Sequence, residues 1–299
     1  MTQIQDINRL NDVFFKSLLG DIKHKNLTLN FINSILDRDE QNQFVDLKLL
    51  DKEVLPPVKD VKVPIVDILA VVNDGTYVNI ELQVAKQLFY IKRSLYYWSR
   101  LYGYQLKSGE HYRKPTQTIT INLLNFDLLP YTEYHNSYHL TNDRNKDRLT
   151  DEMEIHYIEL KKFKFSDYKD LKKKQADSWI AYFSPRCTNE QREVIAMENP
   201  IIKDALNFES AFSQDTKQWR KYELEEKALK DYNSTLADSR EEGIHVGIQK
   251  GIQIGEQKGR AEGIQITAKN MLKLGVSTAI VSQATGLSIE QIEDLKKQL

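Results

Sequence analysis

Two carboxylates and one amide, Asp67, Glu81 and Gln83, sit on two apolar runs separated by a turn signal. Residues 64–72, PIVDILAVV, are a β-branched run, and residues 77–84, YVNIELQV, alternate as a strand does. Asn73, Asp74 and Gly75 between them mark a turn, so a hairpin is expected. Side chains alternate along a strand, which puts Glu81 and Gln83 on one face. With a three-residue loop Val72 faces Thr76 and Asp67 faces Glu81, whereas a two-residue loop turns Asp67 to the wrong face. Directly opposed residues lie about 4.5–5.5 Å apart. Two carboxylates that close repel unless a proton or a cation lies between them. A hard cation such as Mg²⁺ takes oxygen ligands, commonly one or two carboxylates with water. On spacing alone an acidic residue on a half-exposed strand is a solvated one. Here the flanking residues Ile65, Val66, Ile68, Leu69, Ile80 and Leu82 are apolar, and buried carboxylates are rarely tolerated without partners.

The elements around this pair read as an α/β domain. Residues 87–107, QLFYIKRSLYYWSRLYGYQLK, are helical in pattern, and residues 117–125, QTITINLLN, form a nearly unbroken strand of the kind buried on both faces. A helix between two strands implies a crossover and a parallel pairing. The first 36 residues read as helical, with Asn11 as an N-cap and Val13, Phe14, Leu18 and Leu19 as an apolar stripe. Residues 44–50, 136–141 and 153–160 are further strand candidates.

In chain order, NDVFFKSLLGD, IVDILAVVNDGTYVNIELQ, FYIKRSLYYWSRLYGYQLKSGEHY and TITINLLNF resemble the Rpn group of recombination-promoting nucleases and transposases, within the PD-(D/E)xK superfamily. The resemblance covers roughly residues 10–130, and the glycine-periodic tail is similar too. It implies a restriction-endonuclease-like core, a mixed sheet flanked by helices, with a helical C-terminal extension. It also implies a metal-dependent DNA endonuclease that hydrolyses phosphodiester bonds, with recombination, mobile-element movement or defence as the setting. The metal, Mg²⁺ first and Mn²⁺ or Ca²⁺ as alternatives, would be held by Asp67, Glu81 and the backbone carbonyl of Leu82. Asp67, Glu81 and Gln83 would be the catalytic residues. Gln83 departs from the pattern, because lysine commonly stands there and helps polarise the attacking water. Either the metal alone activates the water and Gln83 positions it, or a nearby cation substitutes. Arg93, one to two turns into the following helix, is the better candidate, since strand parity sends Lys86 to the opposite face. Asp12 and Lys16, four apart on the first helix, read equally as an outer metal ligand with a phosphate contact or as an ordinary surface ion pair.

The remaining signals are weaker. Tyr96, Tyr97, Trp98, Tyr102 and Tyr104 read as core packing more readily than as base-stacking rings. The seven lysines of KKFKFSDYKDLKKK, residues 161–174, read as a solvated helix face before a DNA contact. The six histidines lack ligand-like spacing, and no phosphate-binding loop is present. Glycines recur every four residues from Gly243 to Gly263 in a long charged helix, at a cost of roughly 5 kcal/mol relative to alanine. Either a self-association arm offsets that cost or the repeat is a solvated, expanded helix. The segment from Thr267 resembles a helix-turn-helix, but its last helix begins acidic, which favours a packing or oligomerisation module.

The net charge is −1, so any nucleic-acid contact must come from local clusters. The single cysteine, Cys187, excludes disulfides within the chain. No stretch approaches a membrane span and the N-terminus lacks a secretory core, so a cytoplasmic protein without a membrane partner is expected. Three regions are expected: a nuclease-like domain over 1–165, a helical region over 166–234, and a tail over 235–299. The rival from another class is a catalytically inactive DNA-binding or oligomeric assembly protein that keeps the nuclease fold.

Overall fold

Asn11 begins the first helix through its side chain, whose oxygen accepts from the backbone N–H groups of Val13 and Phe14. This satisfies donors that a helix start leaves without partners. Helix α1 (Asp12–Leu19) then buries Phe14, Phe15, Leu18 and Leu19, and α2 (Lys25–Ile35) buries Leu27, Phe31, Ile32 and Ile35. The computed structural model describes residues 7–50, 64–165 and 175–299.

Six strands follow among these residues: β1 (Leu47–Leu50), β2 (Ile68–Val72), β3 (Tyr77–Gln83), β4 (Thr118–Leu124), β5 (His135–Tyr138) and β6 (Met153–Glu159). They form one sheet in the order β1-β2-β3-β4-β6-β5. The β3–β4 and β4–β6 pairs are parallel, and the others are antiparallel. Helix α3 (Tyr90–Tyr104) connects β3 to β4, as a parallel pairing requires.

Alternation divides the sheet into two faces. Val78, Ile80, Ile119, Ile121 and Leu123 join the large core with α1 and α2. Helices α4 (Gln175–Phe183), α5 (Asn189–Glu198) and α6 (Pro200–Gln214) complete that core through side chains such as Trp179, Ile195 and Phe212. The other face packs on α3, where Tyr97 and Leu101 meet Leu69, and Tyr90 meets Leu124 and Tyr157. The aromatics of α3 thus pack as expected, and Trp98 Nε1 donates to the Thr118 carbonyl at 2.8 Å.

Two compact units divide the chain, residues 1–227 and 228–299. The first unit takes in α4–α6, which composition alone set apart from residue 166 onward. A buried ion pair explains the join: Arg9 Nε and Nη2 each donate at 2.6 Å to the Glu209 carboxylate. The start of α7 (Thr216–Lys273) also belongs to this unit, with Trp219 stacked on Tyr222 and Tyr222 near Phe212. In the second unit, Ala268, Val281, Ile292 and Leu295 form a small core with α8 (Thr278–Thr285) and α9 (Ile289–Lys297). Gly275 and Gly286, at φ of 81° and 75°, make the two breaks, and Ser288 with Gln291 forms a capping box.

Several boundaries differ from the sequence reading. The first 36 residues are not continuously helical, since α1 begins only after Asn11 and ends before Gly20. Strand β2 starts at Ile68, not at residue 64, and Asp67 lies in the bend before it. Of the lysine run, residues 166–174 lie outside the described residues. Lys162 serves the fold, donating to Glu159 and to the carbonyls of Leu129 and Tyr131. Among the described residues no helix is long and apolar enough to cross a membrane.

Candidate active site

The hairpin sets the site. Val72 N–H donates to the Thr76 carbonyl at 3.0 Å, Gly75 takes φ of 91° in the turn, and Ile68 pairs with Ile80. That register continues to Asp67 opposite Glu81, as the three-residue loop predicts. The ladder stops one residue short, because the chain bends at Asp67. There Asp67 Oδ2 accepts from Leu82 N–H at 2.9 Å, standing in for the missing strand, and Glu81 Oε1 lies 3.4 Å from Asp67 N. Tyr77 N–H and the Gln83 carbonyl both engage the β4 side, so odd-numbered residues of β3 turn their peptide groups that way. Leu82 therefore turns its N–H and C=O toward the side where Asp67 sits.

The two carboxylates have different surroundings. Glu81 is 4% exposed, covered by α3, and Oε1 also accepts from Asn79 Nδ2 at 3.1 Å. Burial, and next the Asp67 carboxylate, push its pKa up to about 8. Without a cation this group holds a proton at neutral pH. Asp67 is more open, and its Oδ1 lies 2.9 Å from Lys16 Nζ. Lys16 also donates to Asp12 Oδ2 at 2.7 Å. Burial lowers the Lys16 pKa, but Asp67 and Asp12 outweigh it and hold the ammonium above its usual range.

Arg93 stands on the Glu81 side. Its Nη2 is 3.9 Å from Glu81 Oε2, and Nη1 donates to Gln83 Oε1 at 3.1 Å and to Gln87 Oε1 at 2.9 Å. Its guanidinium lies 5.0 Å from the Tyr97 ring centroid. Gln83 donates from Nε2 to the Ala85 carbonyl at 3.1 Å. Both ends of the Gln83 amide are thus engaged within the protein, so it orients Arg93. Lys86 points away and donates to the Asp127 carbonyl at 2.8 Å. The fold accordingly brings together Asp67, Glu81, Gln83, Arg93, Lys16 and Asp12.

Sequence reasoning missed three features. Asn79 follows from the alternation of β3, but only the cover of α3 makes it a buried partner of Glu81. Its Oδ1 and the hydroxyl of Thr120, its neighbour across β4, are buried without a protein partner. The contact of Lys16 with Asp67 depends on how α1 meets β2. Two of the six histidines meet in space: His135 Nε2 lies 2.8 Å from His156 Nδ1, and His156 Nε2 lies 2.8 Å from Glu154 Oε1. Among the described residues no three or more His, Cys, Asp or Glu side chains are arranged to hold a metal ion. A cation at the hairpin would rest on two carboxylates, with backbone oxygen and water completing its shell. The close carboxylate pair, one member buried, fits such an ion.

A mixed sheet flanked by helices, with a carboxylate pair where a hairpin splays, defines an α/β protein of the PD-(D/E)xK nuclease-like class. The family model described as PD-(D/E)XK nuclease family transposase matches residues 9–239, and the chain belongs to that family. The match extends through α4–α6 and into α7, well beyond the segments that carried the sequence resemblance. No curated protein and no solved structure matches the chain.

Proposed function

We propose that this protein is a metal-dependent DNA endonuclease. The observation that carries the reading is the Asp67–Glu81 pair at the end of the hairpin ladder, with the Glu81 pKa raised and cations on both flanks. Asp67, Glu81 and the Leu82 carbonyl would hold one divalent ion, Mg²⁺ before Mn²⁺ or Ca²⁺. When bound, such an ion supplies Lewis acidity and an acidified water. The remaining work falls to the chain. Asn79 and the Asp67 N–H hold Glu81 Oε1, and the Leu82 N–H holds Asp67 Oδ2, so one oxygen of each carboxylate is fixed by the hairpin itself. Arg93 stays cationic at any working pH, which makes it a charge stabiliser for the phosphate and not a base. Gln83 keeps Arg93 in place.

The rival reading, an inactive protein that binds DNA or assembles on it, draws support from Gln83 at a position where lysine is usual. A plasmid-cleavage assay with Mg²⁺, Mn²⁺ or Ca²⁺ separates the two. Cleavage by the wild type that Asp67→Ala abolishes supports the enzyme. DNA binding without cleavage under every metal, on both single- and double-stranded DNA, leaves the binding protein.

A further inference from the structure

Lys16 sits where the first helix meets the splayed end of the hairpin, 2.9 Å from Asp67 Oδ1 and 2.7 Å from Asp12 Oδ2. Asp12 lies one turn earlier on the same helix face, so α1 presents the pair as a unit. Both ends of α1 are fixed. At its start, the Asn11 side chain caps the helix and donates from Nδ2 to Glu226 Oε1 at 3.0 Å. At its end, Gly20 allows a close approach to β2: a Cβ there would meet the Lys16 carbonyl oxygen at 2.6 Å and Ile68 Cγ1 at 3.4 Å. Ile68 directly follows Asp67, so the contact that seats α1 also seats Lys16 against the carboxylate. A surface ion pair between long mobile side chains contributes little and needs no such anchoring.

The two cations of the site face different carboxylates, Arg93 that of Glu81 and Lys16 that of Asp67. Arg93 spends Nη1 on Gln83 and Gln87 and lays its guanidinium near the Tyr97 ring. An ammonium has three N–H donors. Asp12 and Asp67 take two on Lys16, and no other partner engages it among the described residues. The Lys16 side chain keeps 22% of its exposure, enough to meet a ligand at the Asp67 side.

Resting on the reading of the site as a phosphodiester hydrolase, we infer that Lys16 supplies from α1 the positive charge that Gln83 does not, contacting the phosphate under attack. It forms no covalent bond and transfers no proton. It offsets the negative charge that builds on the phosphate oxygens as water adds and the leaving oxygen departs.

The test uses the full chain in single-turnover plasmid cleavage with Mn²⁺, with Mn²⁺ binding followed separately by calorimetry. Lys16→Met is expected to slow cleavage by about a hundredfold, the scale for one preorganised donor at a developing anion, without weakening Mn²⁺ binding. Lys16→Arg should retain most of the rate. Lys16→Met cleaving at the wild-type rate would overturn the inference. So would loss of Mn²⁺ binding together with cleavage in Lys16→Met, which would make Lys16 a prop for Asp67. A wild type that binds Mn²⁺ but never cleaves refutes the hydrolase reading itself, and the role of Lys16 falls with it.

Discussion

Glu81 makes the sharpest prediction at the scale of single residues. Its pKa in the folded chain is about 8, against an ordinary 4.5. Between those values the unfolded chain has released the proton and the folded chain keeps it, so folding is linked to proton binding. Metal-free stability should therefore fall as pH rises from about 4.5 to about 8, with a slope approaching 1.4 kcal/mol per pH unit. Glu81→Gln should remove that decline, and in chelator at pH 8 it should melt above the wild type. Parallel pH profiles for the two proteins would show that Glu81 is not held protonated. Divalent metal should reverse the order, raising the wild-type melting temperature and leaving that of Glu81→Gln or Asp67→Asn unmoved, because only a ligand bound to the native state stabilises it. Gln83→Ala should slow cleavage roughly ten- to a hundredfold, the range of a positioned catalytic group, because it frees Arg93. An unchanged rate would leave Gln83 with no part in the site. The facing of Asp67 and Glu81 was legible in the sequence, since strand parity and the length of the Asn73–Gly75 loop determine it. The engagement of Gln83 at both ends was not, because it depends on where α3 sets Arg93 and where the Ala85 carbonyl turns.

Among elements, the hairpin and the β3–α3–β4 crossover were legible because local pattern determines them: alternation, a turn with glycine at positive φ, and an apolar run buried on both faces. The placement of α4–α6 was not. Composition turns wholly helical after about residue 165, which reads as a boundary, yet those helices close the same core as α1 and α2. The Arg9–Glu209 pair records that closure, at side-chain exposures of 7% and 8%. Arg9→Leu leaves Glu209 buried without its partner and should cost about 3–5 kcal/mol of stability in denaturant melts, the scale for breaking a buried pair. It should also unsettle the whole first unit, site included, because the two residues are 200 positions apart. A loss confined to residues 166–227 in hydrogen exchange, with β2 and β3 still protected, would make the helical region a separate folding unit.

At the scale of the whole molecule, the tail was legible as a helix and opaque as to purpose. Helix α7 runs to Lys273, and a Cβ added at any glycine from Gly243 to Gly263 would meet nothing within 4 Å. Ile244, Ile248, Ile252 and Ile254 are exposed on the same stretch. If this stretch mediates self-association, truncation after residue 230 should yield a smaller assembly by light scattering with metal binding intact. An unchanged mass would assign the repeat to a solvated helix. The central claim concerns the other unit, and its most direct test is the rate of plasmid cleavage against Mg²⁺ or Mn²⁺ concentration for the wild type and Glu81→Gln at equal protein concentration. The wild type should cleave with a saturable dependence on metal that chelator abolishes, and Glu81→Gln should remain inert at every concentration. Cleavage by Glu81→Gln with the wild-type metal dependence would contradict the assignment of the site.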